Sequence, residues 1–180
     1  MTAVKREKTE TRRRWLSVLG SAAFLIVAPG TVAGAVPWWI SRWHVHAPFP
    51  GFTLLRVIGV LLIIAGVPVL LESFARFALQ GMGTPAPVFP TEHLVVKGFY
   101  RFVRNPMYVS VLAVLIGQAL FLGNIDILVY AAFAWLIAHL FVLGYEEPTL
   151  RKSFGAKYEA YRSHVPRWLP RLTPWRSNIR

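Results

Sequence analysis

The sequence predicts an all-α membrane protein with about four transmembrane helices and a cytoplasmic C-terminal amphipathic helix. Three observations lead there. Of 180 residues, 55% are hydrophobic and only 16% charged, with a mean hydropathy of +0.47; soluble domains carry about 25% charged residues. The apolar residues form charge-free blocks, Leu16 to Ile40, Val57 to Leu71, Asn105 to Ile125 and Ile127 to Tyr145. Eighteen of the twenty Lys and Arg lie before the first block, between the second and third, or after the fourth, leaving only Arg42 and Arg56 at the other connections. A helix rising 1.5 Å per residue needs about 20 apolar residues to cross the hydrocarbon core. Basic residues collect on the cytoplasmic side. Four spans with both termini cytoplasmic, in the plasma (inner) membrane, satisfy length and charge together.

The first span runs from Trp15 to Ile40, with kinks expected at Pro29-Gly30 and Pro37. Thr11-Arg12-Arg13-Arg14-Trp15-Leu16 also resembles a twin-arginine export signal, with Val32-Ala33-Gly34-Ala35 as small residues for cleavage. The apolar block runs on through Trp38 and Trp39, aromatic anchors of an uncleaved helix. The second span extends from Phe52 to about Leu79, with Arg56 near its end, free to snorkel. Gly81-Met82-Gly83-Thr84-Pro85-Ala86-Pro87 cannot continue a helix, so an extended cytoplasmic segment follows. The third span opens at Asn105 as N-cap with Pro106 at the first helical position. Gly123-Asn124-Ile125-Asp126 makes a tight external turn, and the fourth span ends at Tyr145-Glu146-Glu147-Pro148. Beyond it, Leu150, Phe154, Tyr158, Tyr161 and Val165 recur on one helical face. That face suits either a helix lying on the bilayer or a lid over the ends of the last two spans.

Composition removes several functions. The net charge of +12 is explained by topology and anionic headgroups, so no nucleic-acid partner is expected, only membrane lipids. With no cysteine there is no disulfide, thiolate ligand or thiol nucleophile. His44 and His46 form a His-x-His with no third ligand in view, so no metal is expected. Gly81-Met82-Gly83 follows no strand and opens no helix, which rules out a dinucleotide-binding turn.

Polar residues gather at one membrane face in three clusters. These are Lys97, Tyr100, Arg101, Arg104, Asn105 and Tyr108; then His139, Tyr145, Glu146 and Glu147; then Tyr158, Tyr161, His164 and Arg167. Arginines at a helix end also serve as topology anchors, and a histidine within a span also serves as an interhelical hydrogen bonder. Acidic residues add little to topology, so Glu146 and Glu147 point to function. Adjacent on a helix, they point about 100° apart. One is expected to pair with Arg101 or Arg104 and the other to face a cavity.

At these residues the chain resembles the integral-membrane methyltransferases related to isoprenylcysteine carboxyl methyltransferase and phospholipid N-methyltransferase. The resemblance covers about Gly83 to Pro170. It rests on Arg104-Asn105-Pro106-Met107-Tyr108, on Glu146-Glu147, on Tyr158-Glu159-Ala160-Tyr161 and on Val165-Pro166, in that order. Asn105 stands where many relatives carry histidine. The resemblance implies residues 1–80 as scaffold and acceptor tunnel and residues 81–180 as the catalytic half. It implies S-adenosylmethionine as cofactor, held by Lys97, Gly98, Tyr100, Arg104, Asn105, Pro106, Tyr108, Glu146, Glu147, Tyr158 and Tyr161. Arg104, Glu146, Glu147 and His139 are the implied catalytic residues. The acceptor would be a lipophilic small molecule or a lipid-anchored group, with a glutamate or His139 as base if it is an ammonium. A reductase of the sterol-reductase type, using reduced nicotinamide dinucleotide phosphate, and a non-catalytic membrane module are the alternatives.

Overall fold

The computed structural model describes residues 18–20, 22–47, 52–80 and 94–176. The basic N-terminal cluster with its twin-arginine stretch, the segment at residues 81–93 and Arg180 lie outside them. The described residues form an all-α membrane protein. Its helices are α1 (Val18–Ser41), α2 (Thr53–Gln80), α3 (Pro106–Leu122), α4 (Ile125–Phe154) and α5 (Ala156–His164), with a 3₁₀ turn at Gly98–Arg101. Helices α1, α2 and α4 are long and apolar enough to cross a membrane. Helix α3 is equally apolar but has 17 residues, about 25 Å of rise. Large apolar side chains such as Leu54, Leu61, Ile64, Phe133, Ile137 and Leu140 are exposed along α2 and α4. A patch of that extent is a lipid-facing surface.

Prolines shape two of the helices. In α1 the kink expected near Pro37 is a π-turn over Thr31–Ala35, where the Val36 N–H bonds back to the Thr31 carbonyl. Pro37 has no N–H, so the carbonyls of Val32 and Ala33 lose their donors inside the helix. In lipid such carbonyls need other partners. Gln118 Nε2 of α3 donates to the Ala33 carbonyl (2.7 Å), and the Tyr130 hydroxyl of α4 donates to that of Val32 (3.1 Å). The same grammar recurs in α4, with a π-turn over Val142–Glu146 followed by Pro148.

Helices α2 and α3 form the tightest seam. Gly59 and Gly117 face each other so closely that a Cβ on Gly59 would lie 2.6 Å from the Gly117 carbonyl oxygen. One on Gly117 would lie 2.7 Å from that of Gly59. Seven residues along, Gly66 packs against Ser110 and Val114. Lipid tails are as apolar as leucine, so close backbone contact at small residues drives such packing.

The turn between α3 and α4 is as short as the sequence requires. Gly123 caps α3 with φ +67°, and the Asn124 side chain accepts from the Ile127 N–H (3.1 Å), capping α4. The tail departs from the single helix its stripe suggests. Helix α4 runs on to Phe154, Gly155 turns the chain at φ +51°, and α5 begins at Ala156. The apolar face survives the break. Tyr158, Tyr161 and Val165 form a buried cluster with Leu150, Phe154, Leu94, Val96 and Trp175 around them.

Candidate active site

The site lies where the start of α3, the end of α4 and the tail meet. Pro106 cannot donate a backbone hydrogen bond, which suits the first turn of α3. Arg104 lies at a bend and Asn105 at the N-cap position, just before the helix. Arg101 belongs to the 3₁₀ turn before α3, and its Nε donates to the Trp175 carbonyl (2.7 Å). In α4 the π-turn brings Val142, Glu146 and Glu147 to one side. A small cavity open to solvent is lined by Arg104, Asn105, Val142, Glu146, Glu147, Leu150, Tyr158 and Tyr161.

The two glutamates have different company. Glu147 is buried and carries two arginines. Arg104 Nη1 donates to its Oε1 (3.0 Å), while Arg167 donates through Nε to Oε1 (2.6 Å) and through Nη2 to Oε2 (3.1 Å). A buried carboxylate needs this pairing, and the forked Arg167 contact is the strongest geometry available for it. Glu146 has neither arginine. Among the described residues its hydrogen bond comes from the Tyr108 hydroxyl to Oε2 (3.2 Å), across from α3. Arg104 also donates to the Tyr158 hydroxyl (3.2 Å), and its Nε is buried with no hydrogen-bond partner.

The tail closes over this cluster. The Arg104 N–H donates to the Pro166 carbonyl (2.9 Å), Asn105 Nδ2 to that of Arg167 (3.1 Å), and the Tyr161 hydroxyl to that of Tyr100 (2.7 Å). Further along, the Arg171 N–H donates to the Phe102 carbonyl (3.0 Å) and the Trp175 N–H to that of Arg101 (2.9 Å). Residues 165–175 thus form a strap pinned mostly through main-chain atoms. Burial pushes the hydroxyls of Tyr100, Tyr158 and Tyr161 above their ordinary pKa, so they remain protonated donors.

Of the residues singled out from sequence, Arg104, Asn105, Glu146, Glu147, Tyr158 and Tyr161 line the cavity. Tyr108 joins through Glu146, and Tyr100 through Tyr161. Pro106 is buried beneath. Gly98, at φ +60°, packs against the Glu72 side chain of α2, and Lys97 is exposed. His139 lies outside the cavity lining; its Nδ1 is 3.0 Å from Trp168 Nε1. Val142 and Leu150 were not singled out as site residues, and Arg167, though in the third polar cluster, was given no part in the site. Arg167 bonds a carboxylate twenty residues earlier, across the Gly155 turn, a distance no local pattern encodes.

Residues 54–157 match the family model described as phospholipid methyltransferase. The chain is similar to a protein-S-isoprenylcysteine O-methyltransferase of Schizosaccharomyces pombe, 35% identical over 78 residues, which is 43% of this chain and 33% of that protein. It is also similar to protein-S-isoprenylcysteine O-methyltransferase B of Arabidopsis thaliana, 28% identical over 86% of this chain and 70% of that protein. An uncharacterized Haemophilus influenzae protein is 36% identical over 35% of this chain, matched along its whole length. The chain thus spans about a third of the first of these relatives. The family match takes in α2, α3, α4 and the glutamate pair, more than half of the sequence, and the chain therefore belongs to the phospholipid methyltransferase family.

Proposed function

We propose that the protein transfers the methyl group of S-adenosylmethionine to a lipophilic acceptor at the cytoplasmic membrane face. The observation that carries this is the presence of a carboxylate and a guanidinium in one cavity. Among the described residues Glu146 has no cation beside it, and Arg104 lines the same cavity. The cofactor's amino acid portion offers an ammonium for Glu146 and a carboxylate for Arg104, so the residues fit it. The relatives' names support methyl transfer and a lipid-anchored acceptor.

When bound, the cofactor supplies an electrophilic methyl group that leaves its sulfonium sulfur as a bond to the acceptor forms in line. The chain's residues then have two tasks, to orient the partners and to exclude water. Tyr158, Tyr161, Val142 and Leu150 wall the cavity with apolar surface. Arg104 is oriented by Glu147 and Tyr158, and Glu146 by Tyr108. A carboxylate acceptor needs no base. An amine acceptor must lose a proton, and Glu146, whose carboxylate bonds no arginine among the described residues, is the base we favour for it.

Titration of the purified protein with S-adenosylmethionine and with reduced nicotinamide dinucleotide phosphate tests the cofactor. Saturable binding of the first alone is expected, and Glu146→Gln should weaken it by about 1.5–3 kcal/mol, the worth of a charged hydrogen bond. Binding of the nicotinamide alone would overturn the proposal. Labelled methyl donor with native lipid extract then identifies the acceptor. For the membrane face, a reporter fused after Arg180 should read cytoplasmic and one at Asn124 external; the reverse pattern would move the site to the other side.

A further inference from the structure

Trp168 is the part of the strap that enters the helical bundle. Its indole ring packs edge-on to Tyr108 of α3 (6.3 Å between ring centres) and lies 6.4 Å from Trp135 and 5.7 Å from His139, both of α4. His139 stacks on Trp135 (5.2 Å). It lies outside the cavity lining, about one helical turn before Val142, which is part of it. Within this aromatic cluster Trp168 Nε1 donates to His139 Nδ1, at 3.0 Å. An indole nitrogen can only donate. His139 must therefore accept at Nδ1, which places the proton of the neutral ring on Nε2. A ring in that state has no free lone pair and cannot act as a base without breaking its bond to Trp168.

Resting on the methyl-donor function proposed above, we infer that His139 is a positioning residue acting through Trp168. The bond anchors the strap within the bundle. The residue next to Trp168 is Arg167, whose fork holds Glu147 and through it Arg104. Loosening Trp168 therefore loosens the guanidinium that faces the cavity. Both strap residues lie beyond residue 157, where the family match ends.

Two side-chain swaps isolate the bond. Trp168→Phe keeps a ring against Tyr108 but removes the N–H. His139→Leu removes the acceptor, whereas His139→Asn places a carbonyl oxygen close to where Nδ1 was. Trp168→Phe and His139→Leu should each weaken S-adenosylmethionine binding about five- to tenfold, the scale of one neutral hydrogen bond in a buried setting. Each should also speed tryptic cleavage after Arg167 by a similar factor. The double variant should be no worse than either single one, and His139→Asn should restore most of both readouts. Additive losses, or an asparagine variant as impaired as the leucine one, would overturn the inference. The protease readout needs no cofactor. If the wild-type chain bound no S-adenosylmethionine yet cleavage showed this coupling, the lock would stand and the cofactor assignment would fall.

Discussion

Glu147→Ala should cost about 3–5 kcal/mol of stability, because it leaves Arg104 and Arg167 facing each other in a largely dehydrated site with their shared anion gone. The side chains of Glu147, Arg104 and Arg167 are 7%, 10% and 27% exposed, so water replaces the lost anion only in part. The strap should loosen with it, since Arg167 loses both of its side-chain bonds. Thermal unfolding in detergent measures the loss. Glu146→Gln provides the contrast: it keeps its bond to Tyr108 through the amide oxygen and should melt close to the wild-type temperature. Equal melting shifts for the two glutamate variants would mean that the structural and ligand-facing roles are not divided as the geometry divides them.

The second large effect is expected at the glycine seam. A methyl group at Gly59 would meet the Gly117 carbonyl oxygen at 2.6 Å and the Phe121 nitrogen at 2.8 Å. Those are backbone atoms of the neighbouring helix, so relief requires α2 and α3 to part along their length. Gly59→Ala and Gly117→Ala should each cost about 3 kcal/mol, the upper range for overpacking. At Gly66 the nearest atoms stand 3.0 Å off and include a valine methyl that can rotate, so Gly66→Ala should cost less. Combining the first two should cost less than their sum, because helices already moved apart have room for the second methyl. Melting temperatures of the three single variants and the one double variant check the order. An unperturbed Gly59→Ala would mean the helices do not meet in this register.

Local chemistry made some of this legible in the sequence. The Gly123-Asn124 turn reads directly from its residue types, because one supplies the left-handed cap and the other an N-cap oxygen. A short turn then forces Arg104 and the glutamate pair to the same depth, so a cross-helix ion pair could be expected; which glutamate took the arginine could not. That choice depends on the π-turn at Val142–Glu146, which alters the facing of both side chains, and on Arg167, which arrives only after the chain reverses at Gly155. Gly59 and Gly66, like Ser110 and Gly117, stand seven apart in the sequence. Their spacing acquires meaning only once the antiparallel register of α2 and α3 is known. The break of the tail stripe was hidden because Gly155 leaves the positions of Leu150, Phe154, Tyr158 and Tyr161 on a common apolar cluster.

The clamp on α1 has a consequence for how the sequence can change over time. Only 6% of the most apolar window of that helix is buried, so packing contributes little to its placement. Two donors on other helices reach main-chain carbonyls of Val32 and Ala33, which every amino acid would supply, and near its end Pro37 and Ser41 are buried while Ile40 packs on the α3–α4 turn. What α1 itself must keep is its proline, the few side chains packed near its end, and enough oiliness to dissolve in the bilayer. A segment with few buried residues can exchange one oily side chain for another, and the stretch matched by the family model begins at residue 54, after α1 has ended.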